Sequence, residues 1–317
     1  MIGYQASHEQ FSPSELLQYA VLAQKAGFKA VNSSDHFLPW SKRQGQSGYS
    51  FAWLGAAMAQ TSIPYGVVCT PGYRNHPAIV AQAAATLAQM FPDRFWMALG
   101  SGEAMNEKIT GEKWPIKPLR NERLYECYHI IKKLFAGETV NHYGHVTVED
   151  AKLYTLPTKL PLLVGAAVTK ATAEWMAPWV DGLITVHQEP KKLKELVDAF
   201  RKGGGNGKPM YLKVQLSYAA TDEAAKQGAF DQWRTNVFDS IVLGDMRTVE
   251  QFDALGEAVS IEKVESMVRI SSNIQQHIDW IKQDIDLGFE KIILHQVNRE
   301  QELFINDFGD KVLPKIL

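Results

Sequence analysis

Short apolar runs and longer amphipathic stretches alternate along this chain from one end to the other. Ile2 to Tyr4 reads as a strand. Ser12-Pro13-Ser14-Glu15 then opens a helix, with Ser12 as N-cap, Pro13 at the first helical position and Glu15 three residues after the cap. Leu16, Leu17, Ala20, Ala23 and Ala26 form its apolar stripe, and Gly27 stops it. Strands are predicted again at Lys29 to Asn32, Tyr65 to Cys69, Phe95 to Leu99, Leu162 to Gly165, Gly182 to Thr185, Met210 to Leu216 and Lys291 to Leu294. Helices are predicted from Pro77 to Met90, Leu119 to Phe135, Thr169 to Ala177, Pro190 to Lys202 and Ile274 to Leu287. About eight strands, each followed by helix through short connections, predict a parallel sheet closed into a (β/α)8 TIM barrel of the α/β class rather than an open doubly wound sheet.

Two stretches exceed the minimal repeat. Phe37 to Gln60 follows the second strand, and Asp222 to Ser271, mostly helical in pattern, separates the seventh strand from the eighth. No linker or low-complexity tract divides the chain, so both read as insertions in one domain spanning residues 1–317. Loops after barrel strands lie at the carboxyl face, where active sites are built. Extra length therefore falls where a substrate pocket belongs.

Composition narrows the partners. A net charge of −2 with 45% hydrophobic residues suits a soluble globular protein and gives no clustered positive charge for nucleic acid or an anionic membrane. The N-terminal stretch lacks a basic start and an apolar run of signal-peptide length, no run of about 18 apolar residues occurs, and the two cysteines, Cys69 and Cys127, lie outside any CxxC spacing. The expectation is a cytoplasmic protein with a small-molecule substrate and no metal.

Three clusters carry candidate chemistry. Ser33-Ser34-Asp35-His36-Phe37 ends the second strand, where an acid beside a histidine can put an imidazole over a bound ring. The same pair also suits a turn-capping Asp followed by an unrelated His. Trp40 and Trp53 are either aromatic walls for a planar ligand or core. Gly100-Ser101-Gly102-Glu103 ends the fourth strand, with glycines that permit close backbone approach and positive φ, and a carboxyl suited to acid/base work. Asn106 shares the face of Glu103 as a candidate cofactor contact. The spacing is not the dinucleotide fingerprint, since Met105 stands where its third glycine belongs. Gly165 to Lys170 is either an anion site at a helix start or a tight turn. His142 and His145 flank a hairpin turn, and Cys69 reads as a buried thiol.

The stretches GYQASHEQF (Gly3 to Phe11), SDHFLPW (Ser34 to Trp40), NHPAIVAQAAATL (Asn75 to Leu87), GSGEAMNE (Gly100 to Glu107), VDGL (Val180 to Leu183) and GFEKIILHQ (Gly288 to Gln296) occur in consistent order over nearly the whole chain. Together they resemble the luciferase-like barrel oxidoreductases, and most closely the branch of F420-dependent glucose-6-phosphate dehydrogenases. The resemblance implies hydride transfer between an organic substrate and a bound coenzyme F420 or FMN. It implies that Asp35 contacts the ring, that His36 is the catalytic histidine with Glu103 as acid/base partner, and that Trp40 steadies the reacting species. Thr70 matches a cofactor-contacting threonine, and Val67-Val68 falls where this family places a non-proline cis peptide. Ser101, Gly102 and Asn106 would hold the ribityl chain, and Ala167, Val168, Thr169, Ala171 and Thr172 the phosphate. A homodimer is also implied. The alternative within the same barrel is an FMN-dependent monooxygenase using molecular oxygen.

The departures redirect the substrate. Those dehydrogenases hold a sugar phosphate with two lysines and an arginine. Here one lysine position falls near Glu189, the other has no counterpart in Val249 to Ala254, and the arginine falls near Met267, with Arg269 two residues away. An acidic side chain cannot replace a charge-assisted phosphate contact. The expected Gly-Gly-Pro of the phosphate loop is Val168-Thr169-Lys170, which leaves room for FMN in place of F420.

Overall fold

The computed structural model describes residues 1–316. The chain starts with β1 (Ile2–Ala6), whose residues are all buried, and the capping box then forms as its sequence dictates. Ser12 N donates to Glu15 Oε2 at 2.9 Å while the Ser12 hydroxyl accepts from Glu15 N. A cap of this kind contributes about 1 kcal/mol and fixes where the chain turns back along β1.

Next come β2 (Ala30–Ser34), β3 (Tyr65–Cys69) and β4 (Phe95–Leu99), then an antiparallel hairpin of β5 (Val140–Tyr143) and β6 (Thr147–Ala151). The remaining strands are β7 (Leu162–Ala166), β8 (Gly182–Val186), β9 (Met210–Ser217), β10 (Arg269–Ile270) and β11 (Lys291–Gln296). Around the barrel the order is β11-β1-β2-β3-β4-β7-β8-β9, and pairing of β9 with both β8 and β11 closes the ring. All these ladders are parallel, so the eight barrel strands and their order are those the alternating pattern predicts.

Side-chain alternation separates two layers. Tyr65, Val67, Met97, Leu99, Leu163, Leu212 and Leu294 point outward into one large core shared with the helices, and each such burial stabilises by about 1.5–3 kcal/mol. Trp96, Ala98, Val164, Ile184 and Tyr211 point inward and plug the barrel, with Val68 and Ala166 above them. Gly66 lets this plug form: a Cβ there would stand 2.0 Å from the Trp96 ring.

The structure corrects the sequence reading in three places. No peptide bond among the described residues is cis, and Val67-Val68 is trans. Its backbone runs in an unbroken ladder between β2 and β4, and Val67 turns its side chain away from the barrel axis, so only Val68 faces the mouth. The stretch Phe37 to Gln60 is only partly an insertion, because Ser50–Gln60 is the barrel's own helix after β2. Finally, Asp222 to Ser271 is not helical throughout. Its last residues form β10, which adds in parallel to the end of β9 through Arg269↔Leu216 and Ile270↔Ser217.

Candidate active site

The strand ends at the carboxyl face are extended by single hydrogen bonds that aim the following residues. Asp35 N donates to Val68 O and Gly100 N to Cys69 O, both at 3.0 Å. After β1 a tight turn forms, with Gln10 N and Phe11 N both donating to Ser7 O. That turn carries Glu9 inward.

His36 is bracketed by two carboxylates. Its Nδ1 lies 2.5 Å from Glu9 Oε1, and its Nε2 lies 3.6 Å from Glu103 Oε2. The first is a short charge-assisted contact; the second exceeds a hydrogen bond, so Nε2 remains open to a reacting group. Ser7 Oγ donates to the other Glu9 oxygen at 2.8 Å. Burial raises the Glu9 carboxyl, yet the close His36 charge, its own backbone and the Ser7 hydroxyl hold it far below the usual carboxylate range. For His36, burial works against the charged form, but Glu9 and then Glu103 outweigh it and its pKa is raised.

Trp40 stands edge-on to His36, with ring centroids 5.3 Å apart, and edge-on to Phe252 at 5.2 Å on its far side. Trp40, Met105 and Phe252 form a small core of their own with Leu38, Leu243, Met246 and Val249. The loop after β2 is clasped to the β9–β11 segment at the same point. Ser41 Oγ donates to Asp253 Oδ1 at 2.6 Å, and Lys42 N donates to Asp253 Oδ2 at 3.1 Å.

Asp35 is buried beneath this group. Its Oδ2 accepts from Arg74 at 2.8 Å and from Asn75 Nδ2 at 2.7 Å, while its Oδ1 is buried without a partner. Glu107 lies on the other side of Arg74, accepting from its backbone N–H at 3.1 Å. Burial, then Asp35 and Glu103, push the Glu107 carboxyl up to about 7 against the pull of Arg74.

Other candidates occupy varied positions. Asn106 braces the site: its Oδ1 accepts from Phe37 N and Leu38 N, and its Nδ2 donates to Glu103 Oε2 at 3.0 Å. Gly102 has φ +80 and Thr70 packs against it, so a Cβ would meet Thr70 Cγ2 at 2.8 Å. Ser101 accepts a hydrogen bond from Lys117 Nζ. Ala167 points into the outer core, whereas Val168 is exposed. Thr169 caps the helix Lys170–Met176 by accepting from Thr172 N, and Ala171 is exposed beside them. Trp53 is core, donating to Pro13 O and packing at a tilt against Tyr65. Glu9, Arg74 and Phe252 escaped the sequence reading. For Glu9 a signal existed, since it lies within the Gly3-to-Phe11 stretch just past the carboxyl end of a barrel strand.

The interior face beneath the mouth is uneven. Val68, Ala98, Gly100 and Ala166 line the β3–β4–β7 side, and a Cβ at Gly100 would find only Ala166 Cβ, 3.8 Å away. Gln5, Asn32 and Ser34 form a hydrogen-bonded polar wall across from it.

A model of the luciferase-like monooxygenase family matches residues 2–291. The chain belongs to the luciferase-like monooxygenase family. Within it, a curated F420-dependent glucose-6-phosphate dehydrogenase of Microbacterium testaceum is 34% identical, covering 99% of this chain and 96% of the relative. The corresponding protein of Beutenbergia cavernae is 33% identical, with 99% and 97% covered. Among solved structures, an F420-dependent secondary alcohol dehydrogenase in complex with an F420-acetone adduct superposes with a TM-score of 0.92 at 26% identity, covering 100% of this luciferase-like chain and 99% of the other. A long-chain alkane monooxygenase, at 13% identity and a TM-score of 0.75, shows the shared fold alone.

Proposed function

We propose that the chain is an oxidoreductase that moves a hydride between an alcohol or carbonyl carbon of a small substrate and a bound coenzyme F420 or FMN. The observation that carries this reading is His36 held by Glu9 on Nδ1 with Nε2 left open beside Glu103. The F420-dependent relatives support it, and the low-identity monooxygenases add only fold.

The residues present fit such a group. A flat ring system suits the small side chains of Val68, Ala98, Gly100 and Ala166, and the unpartnered Asp35 Oδ1 suits a ring N–H. Asp35, Val68, Thr70, Ser101, Gly102 and Asn106 would hold the ring and chain, with the Val168–Thr172 turn at the phosphate. When bound, F420 or FMN supplies the ring atom that takes or gives the hydride.

The chain's own residues manage protons and position. Glu9 fixes the Nδ1–H tautomer, so that Nε2 takes the proton of a substrate hydroxyl, or returns it in the reverse direction. A raised pKa makes His36 the stronger base. Glu103, partly exposed, stabilises the imidazolium and exchanges its proton with solvent. Trp40 holds the imidazole edge and shields it from water. The same reading makes the chain a cytoplasmic homodimer with one barrel domain per chain, which sedimentation would test.

Titration of the purified protein with F420 and with FMN, followed by fluorescence, tests the reading. Binding of at least one is expected, and His36→Ala should lower turnover of a secondary alcohol by about 10²- to 10⁴-fold while leaving cofactor affinity near that of the wild type. Binding of neither would overturn the proposal.

A further inference from the structure

Lys213 lies mid-strand in β9, flanked in the parallel ladder by Val186 of β8 and Ile293 of β11. Tyr211, two residues earlier, packs on Trp96 in the barrel plug, so strand alternation turns Lys213 inward on the same face. Gln215 follows on that face, beside His295. The lysine is partly buried, and its ammonium has no hydrogen-bond or ion-pair partner among the described residues. Burial pulls its pKa down, while the charges of Glu9 and Glu103 hold it up; its own charge in turn acts on His36 and His295. Lys213 therefore faces the barrel interior next above the Trp96–Tyr211 plug toward the carboxyl end, and its charge couples to those of Glu9, Glu103 and His36.

Neighbouring cations are each held by a partner, two by carboxylates and one by a neutral hydroxyl. Arg74 is paired with Asp35, Lys117 donates to Ser101, and Arg269 makes a bidentate pair with Asp284 at 2.5 and 2.9 Å. Arg269 is thereby removed from any part in holding a substrate phosphate. Glu189 caps its own helix by accepting from Lys191 N. A partly desolvated ammonium with no ion-pair partner carries a cost, and an incoming anion relieves it.

We propose that Lys213 binds a carboxylate of the substrate, so that the substrate class is a small hydroxy or oxo acid whose alcohol or carbonyl carbon reacts beside His36. This rests on the hydride-transfer reading above. A single ammonium matches the charge of a monoanion, whereas a phosphate dianion calls for several cations. A neutral alcohol or ketone would leave Lys213 unpaired.

The test uses the full-length protein, loaded with whichever of F420 or FMN it binds. Lactate and pyruvate, and their neutral counterparts propan-2-ol and acetone, are titrated by calorimetry into the wild type, Lys213→Met, Lys213→Gln and Lys213→Arg. Wild type should bind the carboxylates about tenfold tighter than the neutral ligands. Lys213→Met and Lys213→Gln should lose that preference, Lys213→Arg should keep most of it, and cofactor affinity should be unchanged throughout. If Lys213→Met fails to fold, Lys213→Gln and the wild-type preference still decide. Absence of a carboxylate preference in wild type, its survival in the Met or Gln variant, or a loss confined to cofactor binding overturns the assignment. Failure of the hydride-transfer reading shows separately, as no binding of F420 or FMN; the carboxylate titration can be run without either.

Discussion

Glu9 Oε1 lies 2.5 Å from His36 Nδ1, across the carboxyl ends of the neighbouring strands β1 and β2. Replacing Glu9 by glutamine keeps the shape and removes the charge that holds the imidazole's proton. His36 should then titrate at lower pH, read by NMR of the imidazole, and the acid limb of the turnover profile should move the same way. Stability follows the same pair. A raised His36 pKa contributes stability that is full below about 6.5 and lost as pH rises through its folded value. The depressed Glu9 pKa contributes stability that is full above 4.5 and lost as pH falls through its folded value. The advantage of wild type over Glu9→Gln in thermal unfolding should therefore be greatest between about pH 4.5 and 6.5. An unshifted His36 in the variant would show that Glu9 does not set its basicity.

Glu107 has the opposite sign. Burial pushes its carboxyl from 4.5 up to about 7, so the folded state holds a proton that the unfolded chain releases earlier. The stability it contributes is complete below pH 4.5 and is lost as pH rises through about 7. Glu107→Gln should flatten that segment of the stability curve, so that the variant gains on wild type by up to a few kcal/mol between pH 5 and 8, on the order of the shift itself. Equal slopes in the two proteins would mean that Arg74 holds Glu107 ionised throughout.

The barrel was legible because parallel strands buried on both faces read as short apolar runs, and the helices between them carry caps and stops in sequence. Ser12-Pro13-Ser14-Glu15 forms the capping box its spacing predicts. His36 and Glu103 could be picked out because each ends such a run. Glu9 also follows a strand end, but its pairing with His36 was not legible, since that partner lies 27 residues away and meets it only through the register that pairs Ala6 with Ser33. Phe252 was hidden for a related reason: it is a buried residue of a short capped helix, Val249–Glu257, and nothing local to that helix says that it packs on Trp40 in the loop after β2. The two residues of β10 are too few to show alternation. Nothing local to Val67-Val68 distinguishes a cis from a trans bond, and the intact ladder on both sides supplies the answer.

Phe252 is wholly buried and supports the far face of Trp40. Phe252→Ala should cost about 3–5 kcal/mol in the small core it shares with Met105, from lost burial and the cavity left behind. Because that core lies over the barrel and not within it, the loss should appear as local opening. Amide exchange should accelerate across residues 37–49 while the barrel strands stay protected. Turnover should fall with it, since Trp40 no longer steadies His36. Phe252→Leu should retain most of both. Uniform acceleration throughout the barrel would contradict a separate lid-side core.

Gly66 faces Trp96 across the inside of the barrel, and a Cβ there would sit 2.0 Å from the Trp96 ring carbons Cε2 and Cζ2. A ring wedged between Tyr211 and the β3 backbone cannot swing aside as a flexible side chain would. Gly66→Ala should therefore destabilise by about 1–3 kcal/mol or more, although alanine suits a strand better than glycine does. The distinguishing measurement is a double substitution. Trp96→Leu alone should also destabilise, by leaving a cavity, but in its background Gly66→Ala should become nearly neutral, because the added methyl then enters vacated space. Additive losses in the double variant would place the strain in the β3 backbone and not in contact with Trp96.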